Sequence, residues 1–134
     1  MPKRAPLKIL IVDDFDMIRM LLKKSLTEIG FSNFEEACDG DQGLQLLNEA
    51  HDSGKPFDLV FLDWNMPKVT GIAFLETCRQ IPHFQQIPII MITSRTGEKH
   101  RQRAFEIGVQ GGYTQPFGAI SRDRRIGDIV AASL

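Results

Sequence analysis

Two adjacent carboxylates at Asp13 and Asp14, a third at Asp63, and a hydroxyl pair at Thr93 and Ser94 are the residues of this chain best suited to do chemistry. Each group follows a short apolar run: Ile9–Val12, Leu59–Leu62 and Ile87–Ile92. Carboxylates brought together repel unless protons or a cation intervene. An all-oxygen donor set suits Mg²⁺, which keeps several waters and is completed by phosphate oxygens. A carboxylate can also attack phosphorus to form an aspartyl phosphate. A metal would then neutralise charge on the transferring group while a hydroxyl donates a hydrogen bond to it. These residue types point to phosphoryl chemistry at a Mg²⁺ site without saying which aspartate is attacked. An aspartate after an apolar strand is, alone, an ordinary turn former or helix cap. Three at strand ends together favour the site.

The elements that must position these groups follow from hydrophobic period. After Ile9–Val12, the residues Ile18, Leu21, Leu22, Leu26 and Ile29 recur at helical spacing until Gly30. A weaker strand is predicted over Asn33–Cys38, then a helix carrying Leu44, Leu46 and Leu47. The buried run Leu59–Leu62, a helix from about Gly71 to Gln80 and the run Ile87–Ile92 come next. Beyond them are expected a helical stretch around Lys99–Ile107, a short strand near Tyr113 and a last segment from Phe117. Continuous rather than alternating apolar runs indicate a parallel sheet covered by helices on both faces. Five strand–helix alternations therefore predict an α/β fold with a doubly wound sheet. In such sheets ligands bind beyond the carboxyl ends of the strands, where strand order reverses. The acids and hydroxyls should converge there.

Composition sets outer limits. At 134 residues the chain has room for one compact domain. A net charge of −1 gives no global field toward nucleic acid or an anionic membrane. No apolar run is long enough to span a bilayer, and residues 1–6 are a charged extension without a signal peptide's apolar core. Cys38 and Cys78 have neither metal-ligand nor disulfide-framework spacing and are expected to be buried thiols. A cytoplasmic location fits. Asp39–Gly43 departs from the calcium-loop pattern and reads as a turn into the second helix. His51, His83 and His100 suggest no common site. Lys99, His100, Arg101 and Arg103, with Arg122, Arg124 and Arg125, form a basic region that reads as a solvated face or a docking surface for an acidic partner.

The strings Val12-Asp13-Asp14-Phe15, Asp63-Trp64-Asn65-Met66-Pro67 with Gly71, Ile92-Thr93-Ser94 and Pro116-Phe117 resemble the signature of two-component receiver domains. The resemblance runs from about Leu7 to Phe117 and is nearest to the chemotaxis branch. It implies a flavodoxin-like sheet of five parallel strands in the order 2-1-3-4-5, with the receiver domain over residues 7–134. It also implies that Asp63 accepts phosphate from a histidine kinase. Asp14, Asp63 and the main-chain carbonyl of Asn65 would bind Mg²⁺, with Asp13 acting partly through water, and Thr93 would bond the phosphoryl group.

This chain departs from the family in three places. Gln115 stands where the family has a lysine facing the phosphoryl group, so a hydrogen-bonding amide replaces a charge. Gly112 stands where chemotaxis members carry an aromatic residue, with Tyr113 one position later. From about residue 117 the last helix is weakly encoded, its stripe of Ile120, Ile126, Ile129 and Val130 being interrupted by Arg124 and Gly127.

The expected function is a stand-alone receiver without an output domain, phosphorylated on Asp63 and signalling by altered protein binding in chemotaxis or motility. Its partners would be a histidine kinase and a target such as a flagellar switch component. A monomer is expected, with C-terminal swapping as the route to a dimer. It would be a phosphoacceptor with at most self-directed phosphotransfer and dephosphorylation, not an enzyme acting on other substrates. One alternative is a degenerate receiver acting as an adaptor. Another is a Mg²⁺-dependent phosphatase of the haloacid dehalogenase type, using Asp14 and Asp16.

Overall fold

A computed structural model describes residues 7–28, 30–63, 66, 69–93 and 111–114. In chain order these form β1 (Lys8–Val12), α1 (Asp16–Glu28), β2 (Asn33–Ala37), α2 (Gly40–Asp52), β3 (Leu59–Asp63) and α3 (Gly71–Gln80). A 3-10 turn at Pro82–Phe84 leads to β4 (Ile89–Thr93), and β5 spans Gly111–Thr114. All strand pairings are parallel. Strand order is β2-β1-β3-β4-β5, as the sequence resemblance implied. The helix expected over Lys99–Ile107 and the segment from Phe117 lie outside the described residues.

The continuous apolar runs divide by alternation between two cores, because successive strand residues point to opposite faces. Leu10, Val12, Val60, Leu62, Ile89 and Met91 join Leu47 and Ala50 of α2 and Phe74, Leu75 and Cys78 of α3. Ile9, Ile11, Leu59, Phe61, Ile90 and Ile92 instead join Leu22 and Leu26 of α1. Both faces of β1, β3 and β4 are therefore buried, and neither face offers a polar position except at the strand ends.

Local signals fix the helices. Asp39, read from sequence as a turn residue, caps α2 by accepting a hydrogen bond from the Gln42 amide at 2.8 Å. Thr70 caps α3 in the same way from Ala73 at 3.2 Å. Arg79 Nη1 donates to the carbonyls of Phe84, Gln85 and Ile87, tying α3 to the entry of β4.

Two expectations need correction. Leu21, placed on the inner stripe of α1 by its spacing, is 40% exposed, while Arg19 is buried. Cys38 is exposed where a buried thiol was expected; Cys78 is buried, and burial pushes its thiol up to about 12. His51 and His83, for which the sequence suggested no common site with His100, stack ring on ring at 3.8 Å, with Phe84 edge-on to His83; His100 lies outside the described residues.

Gly43 of α2 approaches β1 so closely that an added Cβ would lie 2.9 Å from a Phe74 ring carbon and 3.1 Å from Val12. Gly43→Ala gains about 1 kcal/mol of helix propensity and meets overpacking of about 1–3 kcal/mol. A net loss of roughly 1 kcal/mol is expected, read as a lower urea midpoint at unchanged slope.

Candidate functional site

Register brings the acids together. Val12 of β1 lies opposite Leu62 of β3, so the next residues along each strand are Asp13 and Asp63. β1 is flanked by β2 and β3, whose connections leave to opposite sides of it, which makes this end of the sheet the point where strand order reverses. Asp13, Asp14 and Asp63 each present a carboxylate oxygen, all within 4.8 Å of one another.

Their surroundings differ. Asp13 is only 2% exposed. Its amide donates to Ala37 O at 3.0 Å, and its Oδ1 accepts from the Phe15 amide at 2.9 Å. Burial raises its carboxyl to about 6, against the lowering effect of the Phe15 amide; Asp14 adds repulsion and Arg19 opposes it. Asp14 Oδ1 is buried without a hydrogen-bond partner among the described residues. A buried charged oxygen without a partner is costly, so a cation is the natural complement of this atom. The donor set is all oxygen, of the kind Mg²⁺ takes, and the three carboxylates fit that ion.

Of the other predicted site residues, Thr93 ends β4, one position beyond Ile92, whose partner in β3 is Asp63. Its own partner in β5 is Thr114. Gly112 and Tyr113 sit opposite Met91 and Ile92. Asn65, Ser94 and Gln115 lie outside the described residues. Asp16 belongs to a different arrangement: its side chain is 92% exposed and forms an ion pair with Arg19 instead of joining the carboxylate group. That counts against a paired Asp14–Asp16 catalytic site. Arg19 is the residue that sequence reading passed over. A lone arginine on a helix carries no signal of burial.

The fold and site define a doubly wound α/β domain with an acidic cluster at its topological switch point. The chain belongs to the response regulator receiver domain family, whose match covers residues 9–121. It is 37% identical to chemotaxis protein CheY of Pseudomonas aeruginosa over 113 residues, which are 84% of this chain and 87% of that protein. Identity to CheY-3 of Vibrio cholerae is 36% over 123 residues, 92% of this chain and 91% of the relative. Among solved structures, Vibrio cholerae CheY4 superposes with a TM-score of 0.78 at 29% identity, covering 93% of this chain and 99% of that one. Receiver domains of this kind are signalling proteins, not classical enzymes. Among the described residues no helix is long and apolar enough to cross a membrane.

Asp13 makes metal-free stability depend on pH. The folded chain keeps this proton up to about pH 6, whereas the unfolded chain releases it near 3.8. The contribution is complete below 3.8 and lost as pH rises through about 6. Glu36, held low chiefly by its hydrogen bond from Lys23, acts oppositely, its contribution being lost as pH falls below the ordinary 4.5. Chelator-treated protein should therefore lose melting temperature between about pH 5 and 7, and Asp13→Asn should flatten that slope.

Proposed function

We propose that this chain is a Mg²⁺-dependent phosphoacceptor in which Asp63 takes a phosphoryl group from a phosphohistidine of a kinase. The observation that supports it most is the convergence of carboxylate oxygens of Asp13, Asp14 and Asp63 within 4.8 Å, with one buried oxygen of Asp14 lacking a hydrogen-bond partner among the described residues. Asp13, Asp14, Asp63 and the main-chain carbonyl of Asn65 would hold the ion. When bound, Mg²⁺ supplies neutralisation of the carboxylates and of the phosphoryl oxygens.

The chain's own residues do the rest. A carboxylate oxygen of Asp63 attacks phosphorus, the P–N bond to the donor imidazole breaks, and the imidazole nitrogen leaves with the electron pair and takes up a proton. Asp63 suits the role by position: it ends β3 between β1 and β4, half-buried, with a carboxylate oxygen within 4.8 Å of those of Asp13 and Asp14. Thr93, ending the neighbouring strand, would donate its hydroxyl to the transferred group. Water hydrolyses the acyl phosphate and resets the chain. Gln115 would offer an amide hydrogen bond where the family offers an ammonium. The output is altered protein binding in chemotaxis or motility, to a target such as a flagellar switch component, as its similarity to CheY proteins supports.

Stoichiometric labelling by acetyl phosphate should require Mg²⁺ and vanish in Asp63→Asn, followed by intact mass and by fluorescence of Trp64, the chain's single tryptophan. A wild-type chain that neither binds Mg²⁺ nor labels would be an adaptor; steady turnover of a phosphomonoester would make it a phosphatase. Gln115→Lys should speed labelling about fivefold, since a charge-assisted hydrogen bond exceeds a neutral one by about 1 kcal/mol. An unchanged rate removes Gln115 from the site.

A further inference from the structure

Arg19 carries a full charge on the inward side of α1 and is only 9% exposed. Its guanidinium is divided among acceptors from separate segments. Nη1 donates to the main-chain carbonyl of Asp13, Nη2 pairs with Asp16 in the first turn of α1, and Nε donates to Glu36 Oε1 of β2 at 3.1 Å. Lys23 holds the other oxygen of Glu36 at 2.8 Å, which fixes the far anchor.

The Asp13 carbonyl belongs to the peptide plane that joins Asp13 to Asp14. Rotation of that plane would redirect the buried Asp14 oxygen that has no hydrogen-bond partner among the described residues. Two further polar groups of Asp13 are also tied, the amide to Ala37 and Oδ1 to the Phe15 amide. Arg19 adds a side-chain tie from this loop across to β2, beside the main-chain bond from Asp13 to Ala37. A planar guanidinium can serve acceptors in several directions at once; a lysine ammonium on a flexible stem cannot hold the same fork.

We propose that Arg19 is a positioning residue for the acidic site, aligning the Asp13–Asp14 peptide so that both carboxylates address one cation; this rests on the Mg²⁺-dependent phosphoacceptor reading. The alternative is that Arg19 merely offsets nearby negative charge. The two differ in sign. A fixed positive charge beside a cation site repels the cation, so deleting a mere counter-charge would tighten Mg²⁺ binding. Deleting a positioning group weakens it. Outer partners that orient metal ligands typically matter by about 10–100-fold in affinity.

The test is Mg²⁺ titration of the full chain by calorimetry, with Arg19→Gln, Arg19→Lys and Glu36→Gln, at a temperature where circular dichroism shows each variant folded. Arg19→Gln and Arg19→Lys should both weaken Mg²⁺ by about 10-fold or more, lysine failing to rescue although it keeps the charge. Glu36→Gln, which touches only the anchor, should weaken binding less but in the same direction. Tighter or unchanged binding in Arg19→Gln, or full rescue by lysine, overturns the proposal. If Arg19→Gln does not fold, unchanged affinity in Glu36→Gln overturns it alone. A lowered melting temperature with unchanged affinity would make Arg19 structural only. Absence of Mg²⁺ binding by the wild-type chain overturns the phosphoacceptor reading and this inference with it, whereas wild-type binding with unaltered variants removes only the inference.

Discussion

Mutual repulsion of three carboxylates held within 4.8 Å is the constraint around which this structure is arranged. Charges so close in a partly dry site oppose folding unless something offsets them. Burial raises the Asp13 carboxyl to about 6, Asp14 adds repulsion, and an oxygen of Asp14 is buried without a hydrogen-bond partner among the described residues. A loose scaffold would relieve the repulsion by letting the loop swing toward solvent. This scaffold does not, because the residues preceding the acids are locked in a sheet covered on both faces. On the phosphoacceptor reading, this crowding would be the counterpart of a cation's affinity: a site that holds its carboxylates together before the ion arrives spends less of the binding energy on ordering them.

The doubly wound topology supplies that rigidity cheaply. Central strands β1 and β3 lie side by side, and Val12 and Leu62, the residues in register just before the acids, are both buried. Crossover connections put α1 on one face and α2 and α3 on the other. Polar residues are then tolerated only where the strands end. The position of Asp63 follows from sheet geometry as much as from its own chemistry.

Much of this was legible in the sequence because it depends on pattern. The runs Ile9–Val12 and Leu59–Leu62 can be buried on both faces only in a covered parallel sheet, and the helix at Gly71–Gln80 is bounded by residues that act locally, Thr70 at its start and the turn at Ile81 and Pro82 at its end. What depended on tertiary partners was not legible. Leu21 and Arg19 lie two positions apart on α1, and helical spacing alone favours the leucine as the inner residue. The structure reverses them because the Asp13 carbonyl and Glu36, far apart in sequence, create a polar niche that a guanidinium fits and a leucine does not. Cys38 follows the last residue of β2, an edge strand, so its apolar neighbours in sequence did not foretell its exposure. The His51–His83 stack likewise joins the end of α2 to a turn after α3, a contact no local pattern encodes.

Charge around the acidic site is therefore divided unevenly. Arg19 sits close to Asp13, but its donors are committed to a main-chain carbonyl and to Asp16 and Glu36. It cannot turn toward a phosphoryl group without releasing the loop that presents the carboxylates. On the phosphoacceptor reading, an arginine nearby does not replace the charge that Gln115 lacks. Neutralisation of the transferred group would then fall more heavily on Mg²⁺ than in relatives with a lysine, and alignment of Asp13 and Asp14 toward that ion would matter correspondingly more. On that reading, the missing charge at Gln115 and the rigid presentation of Asp13 and Asp14 would both shift the electrostatic work toward the ion.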